Sequence, residues 1–335
     1  MTLITVSDLT KSFRSAKRRE GVLGSMRDLL SREYKTVVAV DQISFSVNEG
    51  ELLGYIGPNG AGKSTSIKML TGILKPTSGS ILVSGFDPFK DRRRYTGIIG
   101  VVFGQRTQLW WDIAVIESLR LLGRIYKVDQ ATFNKRLDDL CAVLEIRELL
   151  HTPVRKLSLG QRIRCDLAAS LIYGPKILFL DEPTIGLDAV GKDSVRRFLK
   201  AINRDFKTTI IMTTHDLKEI EELCNRIMII DKGKIIFDGA LDRIKGLPGL
   251  GRKFLIDFAG DAPIQELSQL FYGKAVFDLQ GTRRVLGDYD QRKISTPDLV
   301  KEIVGRYSIV DLTISEPEIE EVVMKIYREG MGSVV

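Results

Sequence analysis

Residues 57–65 read Gly-Pro-Asn-Gly-Ala-Gly-Lys-Ser-Thr, a G-x-x-x-x-G-K-[ST] run lying between the apolar stretch ELLGYI at 51–56 and a helix-compatible segment. No other feature confines the chain so tightly. Glycines let a backbone wrap closely round phosphate oxygens and aim its N–H groups at them. Such a turn needs a buried strand leading in and a helix leading out. The run predicts an α/β core with a phosphate cradle built from Gly57, Pro58, Asn59, Gly60, Ala61 and Gly62. Lys63 would neutralise the β and γ phosphates, and Ser64 would offer its hydroxyl to Mg²⁺.

The surrounding pattern agrees. Apolar runs at 51–56, 98–103, 177–180, 209–213 and 227–230 lack polar alternation and predict buried strands. Residues 3–7, 43–47 and 234–237 alternate, and predict a half-exposed antiparallel flank. Two helical stretches at about 113–126 and 131–149, with no strand between them, predict a helical subdomain over about 106–170. After Gly239 comes a loop, GLPGLG at 246–251, and then a different texture. It reads as strand 253–258, helix 263–271, strands 274–280 and 283–287, helix 297–306, strand 308–314 and helix 317–328. The expected fold class is therefore α/β, a mixed sheet with an antiparallel flank and helical subdomain over 1–240, followed by a small α+β domain over 241–335. A length of 335 residues suits two domains at roughly 150 residues each.

Composition excludes several classes. With 44% hydrophobic and 28% charged residues, the chain is neither disordered nor collagenous. Cys141, Cys165 and Cys224 are odd in number and far apart, so neither a disulfide framework nor a zinc site is expected. The N-terminus has no small-residue cleavage site, and the longest uncharged runs fall far short of the ~20 residues that span a bilayer. Residues 1–240 carry 37 basic and 28 acidic side chains, whereas 241–335 carry 13 and 15. That asymmetry implies two units with different surroundings.

Two further strand ends carry candidate chemistry. Ile177-Leu-Phe-Leu is followed by Asp181 and Glu182, and strand neighbours point to opposite faces. One acid can thus approach a metal while the other addresses a water beyond the γ phosphate, with Asp181 on the metal side and Glu182 as the base. His215 closes the strand at 209–213 and could hydrogen-bond the terminal phosphate.

These motifs, together with Leu157-Ser-Leu-Gly-Gln161 ending 20 residues before Asp181, make residues 1–240 resemble the ATP-binding cassette (ABC) ATPases. The resemblance implies that Ser158, Leu159, Gly160 and Gln161, at a helix N-terminus, bind the γ phosphate of ATP held by the opposite subunit. Leu159 stands where the family commonly has glycine. The same resemblance assigns Phe13 to stacking on adenine, Thr65 to the α phosphate, Gln105 to Mg²⁺ and the coupling surface, and Asp188 to the loop joining the two sites. It implies a dimer that closes on two ATP molecules, a homodimer or a heterodimer with a similar chain.

The stretch from Arg14 to Lys35 holds seven basic and three acidic side chains, with Val22, Leu23, Met26, Leu29 and Leu30 spaced like one helical face. It predicts a basic amphipathic helix, either contacting anionic lipid or a partner, or packed on its own domain. GQRTQLWWD at 104–112 and the region around the signature are similar to ATPase subunits of drug, antibiotic and sodium exporters. The resemblance thus implies an ATPase at the cytoplasmic face of the membrane, powering separate transmembrane permease subunits with ATP and Mg²⁺. Trp110 and Trp111 are candidate anchors for the permease or simply subdomain packing. The alternatives are a soluble cassette ATPase acting on ribosomes or nucleic acid, or an importer ATPase. A single cassette without sustained heptads argues against the first, and no specific nucleic acid is expected.

Overall fold

A computed structural model describes residues 1–16, 34–104, 106–214, 216–245, 251–316 and 319–329. The chain divides into two compact units, Met1–Gly239 and Ala240–Val335.

The first unit opens with β1 (Thr2–Ala16) and β2 (Tyr34–Asn48), which pair antiparallel. Their register shifts between Val6 and Leu9, around Asp8 at φ 48°. Such bulges bend a strand and strengthen its twist. β3 (Leu52–Ile56) runs into the glycine loop, and α1 (Lys63–Leu70) leaves it. β4 (Ser78–Val83) then pairs with β1, giving a three-stranded sheet ordered β2-β1-β4.

A single turn, α2 (Arg92–Tyr95), precedes β5 (Ile99–Phe103). Three helices follow: α3 (Val115–Ile125), α4 (Gln130–Leu144) and α5 (Leu159–Leu171). The chain then alternates through β6 (Ile177–Asp181), α6 (Ala189–Phe206), β7 (Thr209–Thr213), α7 (Leu217–Leu223), β8 (Arg226–Asp231) and β9 (Lys234–Ala240). These strands form one sheet ordered β5-β6-β7-β3-β8-β9, parallel from β5 through β8.

All five residues of both β3 and β7 are buried, because both sheet faces are covered. One face joins the antiparallel sheet and α1 in a core that includes Ile4, Val40, Tyr55, Ile67, Phe179 and Met228. On the other, Ile220 of α7 and Cys224 just beyond it crowd Gly54. Each large apolar side chain so buried contributes roughly 1.5–3 kcal/mol.

The second unit begins with α8 (Leu241–Lys245) and a four-stranded antiparallel sheet. Its strands are β10 (Arg252–Phe258), β11 (Ala275–Gln280), β12 (Arg284–Tyr289) and β13 (Ile309–Ser315), ordered β11-β12-β10-β13. Phe254, Ile256 and Phe258 pack with Leu267 of α9 (Ile264–Leu270) and with Leu299 and Ile303 of α10 (Thr296–Arg306). α11 (Ile319–Glu329) ends the described chain, its Lys253 contact running through Glu321.

Residues 234–237 form a half-exposed strand as expected, β9, which the two-residue turn Lys232-Gly233 returns antiparallel beside β8 at the edge of the six-stranded sheet. Two expectations need correction. The ends of the 14–35 stretch are strand rather than helix, with Arg14 opposite Thr36 and Ala16 opposite Tyr34. Val22, Leu23, Met26, Leu29 and Leu30, which carry the helical face, lie outside the described residues. Finally, β4 is a strand that the sequence pattern does not mark, since its apolar residues are confined to Ile81-Leu82-Val83.

Candidate active site

The glycine loop is shaped by what it must avoid. Gly62 caps α1 at φ 111°, and a β-carbon there would lie 2.5 Å from the Ala39 carbonyl oxygen. Only glycine accepts both conditions. The turn delivers Lys63 to a largely buried position, where its ammonium donates to the carbonyls of Gly57 at 2.6 Å and Pro58 at 3.1 Å. Burial lowers the lysine pKa, and the nearby Glu182 and Asp181 carboxylates oppose that shift. The first N–H groups of α1 have no helical carbonyl to bind, which leaves a positive end aimed out of the loop.

Ser64, next along, places its hydroxyl 3.3 Å from Asp181 Oδ1. The same carboxylate oxygen accepts a 2.6 Å hydrogen bond from the Thr213 hydroxyl at the end of β7. Three strands thus converge, since β7 lies between β3 and β6. A hydroxyl and a carboxylate make an all-oxygen donor set, chemistry that fits Mg²⁺. Glu182 follows at φ 53°, and its N–H donates to the Thr213 carbonyl at 3.0 Å and the Thr213 hydroxyl oxygen at 3.2 Å. For a non-glycine residue this left-handed backbone is uncommon, and here it turns the chain sharply away from the strand.

Phe13 lies on β1 opposite Val37 and is 42% exposed, with the Lys11 ammonium 5.2 Å from its ring centroid. Gln105 and His215 lie outside the described residues.

The 157–161 run does form a helix N-terminus. Ser158 caps α5, accepting from the Gln161 N–H at 3.3 Å, while the Gln161 side chain accepts from the Ser158 N–H at 2.9 Å. This reciprocal box fixes the first turn. Capping uses the serine oxygen as acceptor, and its O–H is chemically still a donor. Asp188 caps α6 by accepting from Gly191 N–H at 2.8 Å. Ser158, Gly160, Gln161 and Asp188 line one cleft of about 520 Å³, whose walls include no residue of the 57–65 loop. The structure therefore brings Lys63, Ser64 and Asp181 together, and sets the Ser158 group apart on the same chain.

Further along α5, Asp166 is buried. Its Oδ1 accepts from the Thr107 hydroxyl at 2.8 Å and from Gln108 N–H at 3.0 Å, tying the segment just after Gln105 to the capped helix. Burial raises its carboxyl to about 6, with these hydrogen bonds opposing the shift.

The family model described as ABC transporter matches residues 40–185. The ABC transporter ATP-binding protein NatA of Bacillus subtilis (strain 168) is 32% identical over 242 residues, 72% of this chain and 91% of that protein. The chain belongs to the ABC transporter ATP-binding proteins. It is also 32% identical over 313 residues to the daunorubicin resistance ATP-binding protein DrrA3 of Streptomyces coeruleorubidus, covering 89% of this chain and 94% of that one. Among solved structures, an ATP-binding subunit of an ABC transporter superposes with a TM-score of 0.61 at 25% identity, over 72% of this chain and 92% of that one. As an ABC protein the chain binds ATP and is an ATPase with the α/β cassette fold. No helix among the described residues is long and apolar enough to cross a membrane.

Sequence reasoning did not single out Thr213, Asp166 or the buried Glu219. Thr213 ends an apolar strand, whereas Asp166 and Glu219 sit in helices with several other polar residues, so no local pattern marks them. What each touches depends on strand order and helix placement.

Proposed function

We propose that the chain is the nucleotide-binding subunit of an exporter, which closes as a dimer on two ATP molecules at the cytoplasmic face and drives separate transmembrane subunits. The carrying observation is that the Lys63–Asp181 group and the Ser158–Asp188 cleft lie apart on one chain. Each is half of a nucleotide site, so a second copy or a similar chain completes both. Likeness to a daunorubicin resistance protein supports export as the direction.

In this reading Gly57–Gly62, Lys63 and Thr65 bind the phosphates, Phe13 stacks on adenine, and Ser158, Leu159, Gly160 and Gln161 of the facing subunit complete the γ-phosphate contact. Ser64, Asp181 and Gln105 would hold Mg²⁺, which neutralises charge on the phosphate oxygens when bound. Glu182 orients the attacking water and takes its proton, and His215 contacts the γ phosphate. Trp110 and Trp111, 41% and 47% exposed, serve as anchors for the permease, with the Arg162 guanidinium 5.5 Å above the Trp111 ring. The 14–35 stretch contacts anionic headgroups, and 241–335 is an accessory domain.

A Glu182→Gln variant should bind ATP and dimerise while hydrolysis falls at least a hundredfold. Undiminished hydrolysis would refute the assigned base. Detergent extraction of native membranes with the tagged chain should recover a polytopic membrane protein in stoichiometric amount. Recovery of ribosomes or nucleic acid instead would overturn the transporter reading.

A further inference from the structure

Glu219 lies on α7 and is fully buried. Its Oε2 accepts hydrogen bonds from the Thr184 hydroxyl at 2.7 Å and the Thr214 hydroxyl at 3.0 Å. Oε1 lies 3.7 Å from the Lys192 ammonium and has no hydrogen-bond donor among the described residues. Lys192, on α6, is anchored in turn by Asp216 Oδ2 at 2.6 Å. That hydrogen bond raises the lysine pKa, so the ammonium stays charged opposite Glu219. Asp216 also donates its N–H to the Thr214 hydroxyl oxygen at 3.0 Å.

The partners matter because of where they sit. Thr184 is two residues beyond Glu182 and four before Asp188, in the loop leaving β6. Thr214 and Asp216 flank His215, in the loop leaving β7. One carboxylate therefore joins the two loops that carry the proposed base and the proposed γ-phosphate contact. A buried carboxylate costs several kcal/mol unless well paired, and an apolar residue would fill the space without that cost. Glu219 is held by two hydroxyls and one distant ammonium, an arrangement suited to fixing geometry rather than to maximising stability.

We infer that Glu219 is a positioning residue for ATP hydrolysis, keeping the 182–188 loop and the residues around His215 in a fixed mutual arrangement. The inference rests on the ATPase roles proposed for Glu182 and His215. Its effect falls on the chemical step and not on nucleotide binding, since neither Thr184 nor Thr214 belongs to the phosphate cradle.

The test uses the full-length protein, with ATPase rates normalised to sites titrated with a fluorescent N-methylanthraniloyl ATP. Glu219→Leu fills the space and removes both acceptor oxygens, and should lower kcat at least tenfold while KM for ATP and analogue affinity stay within twofold. Thr184→Val and Thr214→Val should each lower kcat several-fold, and should add little once Glu219 is Leu. If Glu219→Leu misfolds, the two threonine variants and their double mutant carry the test alone, since removing the second hydroxyl should then cost less than removing the first. Unchanged kcat in folded variants, or a loss of total rate matched by an equal loss of titrated sites, overturns the inference. Glu182→Gln run in parallel separates the two failures: if it slows hydrolysis and Glu219→Leu does not, only the positioning role falls.

Discussion

Leu159 fills the space beside Gly186: its Cδ2 atom lies 2.8 Å from where a β-carbon on that glycine would stand. Gly186 sits at φ 75°, a left-handed backbone that favours glycine, whereas the Leu159 methyl is the far end of a side chain 36% exposed and can turn aside. The leucine in the signature run is thus in contact with the loop that leads to Asp188. Gly186→Ala should lower stability by about 1–2 kcal/mol, the cost of the left-handed backbone for an alanine. Leu159→Gly should show little coupling to that loss. A double-mutant cycle on denaturant stability checks this, and a large coupling would show that the contact, and not the backbone, is the cause.

Thr213 serves two neighbours with one hydroxyl, donating to Asp181 and accepting from Glu182 N–H. Thr213→Val keeps the shape and removes both bonds. Hydrogen bonds to charged groups contribute about 1.5–3 kcal/mol, so kcat should fall at least tenfold. If Asp181 holds the metal, the Mg²⁺ concentration for half-maximal rate should also rise. An unchanged Mg²⁺ titration would separate Asp181 from metal binding.

Phe13 should act on binding alone. Stacking a base on an aromatic ring contributes about 1–3 kcal/mol, so Phe13→Ala should raise KM for ATP about tenfold and leave kcat near wild type. An unchanged KM for ATP in Phe13→Ala would show that the base does not stack on this ring.

Asp166 makes stability depend on pH. Its folded carboxyl titrates near 6 rather than 3.8, so the fold favours the protonated form. The associated stability is fully present below about pH 3.8 and is lost as pH rises through about 6. By pH 7 ionisation costs about 3 kcal/mol. Asp166→Asn keeps an acceptor oxygen for Thr107 and Gln108 and removes the charge. Thermal melts between pH 4 and 7.5 should show the variant gaining Tm over wild type as pH rises. A pH-independent difference would rule out this carboxyl as the source.

Local signals carried most of the fold. The buried runs became β3, β5, β6, β7 and β8, and each element expected between 253 and 328 recurs within about two residues. In the second unit strand alternation and helix period change sharply at glycine-rich turns, so boundaries are local events. β4 escapes because it reads Ser-Gly-Ser before only three apolar residues, too short a run to mark a strand, although Ile81 and Val83 then pack into the core. β1 was foreseen only as far as residue 7, because the bulge at Asp8 breaks the alternation that identifies a strand. At the site, the motif residues were legible because phosphate chemistry dictates their spacing. Thr213 was not, because its importance comes from β7 lying between two strands made long before it.

That strand order also governs when the site comes into being. Gly50 and Thr209, joined by a 2.8 Å hydrogen bond at the start of β3 and β7, are 159 positions apart. While the protein is being synthesised, the glycine loop and the strand bearing Asp181 leave the ribosome with nothing to set them side by side. Their facing edges remain open, the condition that invites association with other chains. Only when β7 emerges do both edges close and the centre assemble, late and in one event. A message truncated before that point would yield a fragment carrying both signature motifs yet unable to use ATP, one for chaperones or proteases to remove.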